Sequence, residues 1–390
     1  MTGLQIKLSK TFNRFFDSEK SSGIVLICCT ALSLLLANSS LGQSYLDFWH
    51  ISVLGLSLEH WANDALMAVF FLFVGLELER ELYVGELSNV RNALLPIVAA
   101  IGGIVVPAGI HFALNGATPT QAGAGIPMAT DIAFALGVLA LLGSRVPASL
   151  KVFLTALAVM DDLGAIVVIA IFYTAQFSLV YLLAAFAVFG VLVVLNRLRV
   201  MTLFPYVLGG VLMWFLMLKS GVHATIAGVL LAFAIPFSGR AEDDASPSHR
   251  LEHALHKPVA FLILPVFALA NTGIVIAEGW QQELLASNSL GILGGLLIGK
   301  PLGIFLACLL AVALGICRLP GDLRWPHILG AGLLGGIGFT MSIFITNLAF
   351  AESTNLVNAS KMAILLASLM AGGLGFLWLR LCCPVRTLSN

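Results

Sequence analysis

At 390 residues, with 59% apolar and only 10% charged side chains and no net formal charge, the chain has too little polar surface for a soluble fold. Such folds carry about 25% charged residues. A mean hydropathy of +1.01 and recurring apolar runs define an all-α polytopic membrane protein, because spanning backbone must satisfy its own hydrogen bonds. Nucleic-acid stripes and phosphate-cradling loops are missing from the sequence, and the six cysteines lack zinc or disulfide spacing.

Residues 1–22, with Lys7, Lys10, Arg14 and Lys20, form a charged cytoplasmic lead into an apolar run at 23–38. No small-residue cleavage site follows, so this run is read as a retained first span rather than a signal peptide. Further runs fall near 61–78, 92–114, 122–143, 152–173, 179–195, 205–218, 222–237, 258–275, 290–316, 327–350 and 359–380, which makes twelve transmembrane helices in a single transporter domain. The periplasmic segment 42–60 contains the alternating stretch Ile51-Ser52-Val53-Leu54, which reads equally as a small strand pair or an irregular loop. The most polar stretch, 238–250, opens a cytoplasmic linker at 238–257 and divides the chain near residue 240.

The basic residues test this segmentation. One face of the alternating topology collects 17 of the 20 Lys and Arg side chains, with Lys219 and Lys361 on the other face and Lys300 inside a span. The positive-inside rule then puts both termini in the cytoplasm. Trp61, Trp280 and Trp325 fall near span ends, as interfacial anchors do.

Span 5 carries Asp161 and Asp162 near the middle of a 22-residue apolar run, Val152 to Tyr173. Each Asp costs roughly 2.5–3.5 kcal/mol at that depth. The run's 12 Leu, Ile, Val and Phe residues return roughly 0.3–0.6 kcal/mol apiece, so the total lies near zero. Asp131 and Lys300 are the other charges deep in spans. Three carboxylates and one ammonium are expected to share one polar cavity, and the 3:1 ratio argues against a mere packing ion pair. Pro127 breaks span 4 near its middle. Gly330, Gly332, Gly335, Gly336 and Gly338 cluster in span 11, and Gly299-Lys300-Pro301 bends span 10. Broken helices 4 and 11 occupy matching positions in two inverted three-helix repeats, spans 3–5 and 10–12, a pattern that points to an ion site in a secondary transporter. At the crossing, Asp131 is suited to the positive half-helix ends and Lys300 to the negative ones.

Neighbouring helix residues point about 100° apart, so Asp161 and Asp162 can divide two tasks. Carboxylate oxygens with Thr130 suit a small alkali cation. In low dielectric, either a proton or a cation neutralises the same oxygens. Exclusive occupancy with alternating access amounts to antiport. An intramembrane aspartyl protease needs its two carboxylates on different helices, and a prenyltransferase needs a further Asp where Ala165 stands. Neither pattern fits, and no enzymatic activity or cofactor is expected.

The stretches Asn63–Phe71 (NDALMAVFF), Ala129–Ala135 (ATDIAFA), Asp161–Ala165 (DDLGA), Gly221–Thr225 (GVHAT), Arg250–His253 (RLEH) and Gly299–Pro301 (GKP) occur in order along nearly the whole chain. On these, the chain resembles the bacterial Na⁺/H⁺ antiporter NhaA family. The resemblance implies Na⁺ or Li⁺ binding by Asp162 and Asp161, with Thr130 and Asp131 nearby and Lys300 paired to Asp161. It further implies exchange for more than one proton per cycle, an inner-membrane location, a homodimer held partly by external strands, and roles in pH regulation and sodium homeostasis. No nucleic-acid partner is implied. The family's pH response maps to Glu77, Glu81, Glu252, His253 and His256, with a solvated helix end as the alternative reading of Glu77 and Glu81. Glu79 stands where relatives commonly carry Lys, and the 42–60 segment is shorter than the family's usual insertion. Asp64 reads either as a helix cap or as part of the external exit, and His223 as a satisfied polar contact.

Overall fold

A computed structural model describes residues 10–173, 178–238, 246–276 and 279–383. Among these, seven helices are long and apolar enough to cross a membrane, and up to ten if each bent helix pair is one span. The apolar helix Phe204–Ser220 is shorter, and Ile226–Ala234 shorter still. The chain is thus a multi-pass, helical membrane protein with broken helices, and every apolar run of the sequence falls on a helix or a helix pair.

The helices gather into two compact units built from separated stretches, Met1–Cys28, Asn89–Ala165 and Ile276–Asn390 in one, Cys29–Ser88 and Ile166–Val275 in the other. The polar stretch near residue 240 is therefore no boundary between them, since the chain on both sides of it belongs to the second unit.

The first unit contains the helix Val90–Asn115, which packs along the span Ser287–Ala313. Their closest approach is at Gly102 and Gly303, where a Cβ on either residue would land on the other's carbonyl oxygen. Two broken spans complete the centre of this unit. Pro119–Met128, a 3₁₀ helix, meets the α-helix Ile132–Leu141 at a 42° bend, and Trp325–Gly335 meets Phe339–Ala349 at 46°. The break at 129–131 is extended chain, as flanking residues Ala129 (ψ 150) and Asp131 (ψ 102) show. The Gly336–Ile337–Gly338 break is where the glycines cluster.

In the second unit Met67–Tyr83 packs on Ile226–Ala234, and the buried core gathers Leu76, Tyr206, Met213, Ala232 and Ile235. Segment 42–60 contains the small strand pair, one of its two expected forms, and adds a helix that the sequence reading does not anticipate. Gly42–His50 is a helix, and only Ser52–Val53 and Leu56–Ser57 pair as antiparallel strands, Val53 opposite Leu56. Leu54 (φ 54) and Gly55 (φ 86) make the turn, the left-handed backbone that a two-residue hairpin requires.

The expected linker 238–257 is also corrected. Residues 239–245 lie outside the described chain, but from Pro247 the backbone is already helical. Ser246 accepts from the His249 N–H as the N-cap and Pro247 takes the first helical position, both strong start signals. The candidate span is therefore Pro247–Asn271 rather than 258–275. Likewise, the lead expected at 1–22 is helical from Lys10 onward, residues 1–9 lying outside the described chain.

Gly303→Val should lower the thermal unfolding midpoint in detergent, because the added carbons meet backbone that cannot move aside, a penalty of about 1–3 kcal/mol or more. Gly109→Ala, with open space around it, should leave the midpoint unchanged or higher.

Candidate functional site

Breaking a helix inside a membrane leaves N–H and C=O groups with no water to satisfy them. Side chains at the two breaks in the first unit meet that demand. The Asp131 N–H donates to the Ile337 carbonyl at 2.7 Å, so one break is bonded directly to the other. Asp131 Oδ1 accepts from the Phe134 N–H at 3.0 Å, capping Ile132–Leu141. Its Oδ2 accepts from the Thr340 N–H at 3.1 Å and the Thr340 hydroxyl at 2.6 Å, in the first turn of Phe339–Ala349. One carboxylate thus serves two positive helix ends. Ser368 adds a second cap by accepting from the Phe339 N–H at 3.1 Å, and the Ser342 hydroxyl donates to the Ile126 carbonyl at 2.7 Å.

The negative ends are served by different groups. Lys300, fully buried, donates to the Met128 carbonyl, at the end of the 3₁₀ half-helix, and pairs with Asp161 Oδ2 at 2.6 Å. The Gly335 carbonyl, ending the other half-helix, faces the Thr130 hydroxyl at 2.8 Å. Lys300 therefore meets one of the two negative ends, and Thr130 takes the other. The same hydroxyl lies 2.6 Å from Asp161 Oδ2. A hydroxyl has one proton, so Thr130 can donate to only one of these acceptors at a time.

Asp161 and Asp162 lie on the helix Ala148–Phe172, 0% and 1% exposed. Asp161 Oδ1 is buried with no hydrogen-bond partner among the described residues. The Asp162 carboxylate is within electrostatic reach of the Lys300 ammonium. The structure thus brings Thr130, Asp131, Asp161, Asp162 and Lys300 together in one buried group.

The second unit holds a separate charged cluster. Arg80 is its hub, at 2.8 Å from Glu252, 3.1 Å from Glu81 and 3.6 Å from Glu77. Glu77 and Glu81 are buried within Met67–Tyr83. His256 packs its ring against Phe73 at 5.9 Å between centroids, while His253 is exposed. Glu79, Ser248 and His249 join the cluster without having been singled out as its members. Ser248 donates to Glu79 at 3.1 Å, and His249 lies 3.7 Å from Glu252. Asp64 is no helix cap, since Ser57 caps that helix and Asp64 sits in a π-turn, Trp61–Leu66. His223 contacts the Tyr173 carbonyl at 2.6 Å, a satisfied polar contact.

Crossed broken helices around buried ionisable groups define the class: a multi-pass secondary transporter for a small ion. Sequence comparison gives the family. The model of the family described as Na⁺/H⁺ antiporter 1 matches residues 13–379. The Na(+)/H(+) antiporter NhaA of Dechloromonas aromatica (strain RCB) is 77% identical over 380 residues, covering 97% of this chain and 98% of that protein. The protein of the same name from Flavobacterium psychrophilum is 59% identical over 375 residues, covering 96% and 97%. That from Mesorhizobium japonicum is 52% identical over 380 residues, covering 96% of each chain. The chain belongs to the NhaA family of Na⁺/H⁺ antiporters, and is a secondary active transporter rather than an enzyme.

Asp131→Ala should orphan the two buried backbone donors and the Thr340 hydroxyl, each costing about 1–3 kcal/mol. Its unfolding midpoint should fall well below that of Asp131→Asn, which keeps one acceptor oxygen, and of Thr340→Val. Equal midpoints for the Ala and Asn variants would show that the caps carry no stability.

Proposed function

We propose that the chain exports Na⁺ or Li⁺ in exchange for more than one proton per cycle, by alternating access at Asp161 and Asp162. The observation that carries the reading is the charge sum of the buried group. Two helix N-termini, each equivalent to about half a positive charge, balance Asp131. Lys300 balances Asp161. The two negative half-helix ends add about one further negative charge, so about two negative charges remain around Asp162 and these ends, and in low dielectric they must be neutralised by protons or by a cation. The two neutralisers exclude each other, so the site changes sides carrying one or the other.

On this reading Asp162 is the principal ligand and proton carrier. Asp161 exchanges Lys300 for the incoming ion, and the Thr130 hydroxyl and Gly335 carbonyl supply further oxygen donors. Asp131, its oxygens committed to capping, acts as a fixed electrostatic brace rather than a ligand. Sodium is a hard cation of the size such oxygen ligands suit, and the relatives are named as Na(+)/H(+) antiporters.

The remaining assignments rest on the family and on the pattern of the sequence. They comprise twelve spans with inverted repeats at spans 3–5 and 10–12, one transporter domain, both termini cytoplasmic, and an inner-membrane location. A homodimer engaging the 52–57 hairpin, an external exit at Asp64, and a part in cellular pH and sodium homeostasis belong with them. The Arg80 cluster is the proposed seat of the pH response. Protonating any of Glu77, Glu81 or Glu252 weakens its pair with Arg80. The reversal at Glu79 gives this chain an extra acid there, tied to Ser248.

Everted membrane vesicles holding an acid-inside proton gradient test the exchange. Adding NaCl or LiCl at alkaline pH should collapse the gradient, whereas KCl should not, and Asp162→Asn should abolish the effect. A gradient indifferent to Na⁺ and Li⁺ in the parent protein would remove the antiport reading. Exchange retained in Asp162→Asn would remove the site assignment.

A further inference from the structure

The span that carries Lys300 is not a uniform α-helix. Ser287–Gly294 and Lys300–Ala313 are joined by a π-turn, Gly295–Gly299, closed by the Lys300 N–H bonding to the Gly295 carbonyl five residues back. Pro301 follows and has no N–H to continue either register. A π-turn fits one surplus residue into a helix without lengthening it by a full step.

The packing shows what the surplus residue does. Gly291, Gly295, Gly299 and Gly303 all press on the helix Val90–Asn115. A Cβ added at Gly291, Gly299 or Gly303 would meet His111, Pro107 Cα or Gly102 respectively, and one at Gly295 would meet Pro127 of the half-helix Pro119–Met128 first and the Pro107 carbonyl second. In a regular α-helix, twelve residues turn about 1,200°, so Gly303 would point about 120° away from Gly291. With one residue absorbed the effective rotation is about 1,100°, and the mismatch falls to about 20°. The turn therefore keeps both halves of the helix in phase on their neighbour. Lys300 stands at the junction of the two halves, where its azimuth is set to reach the Met128 carbonyl and Asp161 Oδ2 together.

We propose that the Gly295–Gly299 turn, held open by Pro301, is the positioning element of Lys300, and that its surplus residue is the slack through which the ammonium leaves Asp161 when a cation arrives. A π-turn that moves past Lys300 rotates that residue, and Gly299 with it, by about 100° while the contacts at Gly291 and Gly303 stay in place. This rests on the proposed exchange of Lys300 for the ion at Asp161.

Deleting Ile298, whose side chain is 57% exposed, removes the surplus residue and leaves the four glycines in phase as a regular α-helix. In proteoliposomes, ΔIle298 should keep the parental half-saturating Na⁺ concentration but lose maximal exchange rate by about tenfold or more. Ile298→Ala should match the parent in both. Parental rates in ΔIle298, or a raised half-saturating concentration at parental maximal rate, overturn the proposal. Should ΔIle298 not fold, amide hydrogen exchange of residues 293–302 in the parent protein decides. Adding Na⁺ should change protection in this turn, and an unchanged turn overturns the proposal. Asp162→Asn assayed alongside separates the two claims: if it still exchanges, the site reading fails, whereas if it is inactive and ΔIle298 is parental, only the slack fails.

Discussion

Two interrupted helices cannot sit in a membrane unless something answers their free ends. That requirement organises the first unit. The breaks at 129–131 and 336–338 create two positive and two negative ends; Asp131 caps its own half-helix, and the other three ends are met by side chains reaching from the opposite break or from a neighbouring helix. Asp131 and Lys300 bear the formal charges in this arrangement, and Thr130, Thr340, Ser342 and Ser368 the neutral donors and acceptors. Removing any one leaves a buried polar group with no water to replace the loss, which is why the crossing is a single coupled network rather than a set of separate contacts.

The same constraint leads to exchange on the proposed reading. Capping uses up Asp131, and Lys300 is shared between a helix end and Asp161. The acid that remains has to be neutralised by something mobile. The Thr130 hydroxyl makes the balance responsive, because its one proton faces both Asp161 and the Gly335 carbonyl. Neutralising Asp161 by any other means frees that proton for the carbonyl. Chemistry and scaffold thus share their parts, and an ion that alters the charge of the aspartates also alters the bonds that hold the broken helices.

Much of this was legible in the sequence, for a physical reason. Charges stand out sharply against apolar runs, so Asp131, Asp161, Asp162 and Lys300 announce themselves, and Pro127 marks its span as broken. The hydroxyl caps did not stand out, because Thr340, Ser342 and Ser368 are common in membrane helices and acquire a role only when a second helix crosses them. A conspicuous signal was nonetheless present in Gly338-Phe339-Thr340-Met341-Ser342, where hydroxyls follow directly on the glycine break. The helix Gly42–His50 escaped because alternation at 51–54 suggests strand. The start at Pro247 was obscured by the polar face of the helix it opens, although Ser246-Pro247 is a recognisable cap. The π-turn before Lys300 has no local signature beyond Pro301. In the second unit, Glu77, Glu81 and Glu252 are legible as acids, but only the fold shows Arg80 at their centre and His253 exposed.

The central claim is that one buried carboxylate site holds either protons or the cation, never both. Proton release on cation binding measures this directly, using purified protein in weakly buffered detergent solution with a pH indicator. Adding Na⁺ or Li⁺ at near-neutral pH should release protons in proportion to the cation bound, K⁺ should release none, and Asp162→Asn should abolish the release. Saturable Na⁺ binding with no proton released at any pH would contradict the account.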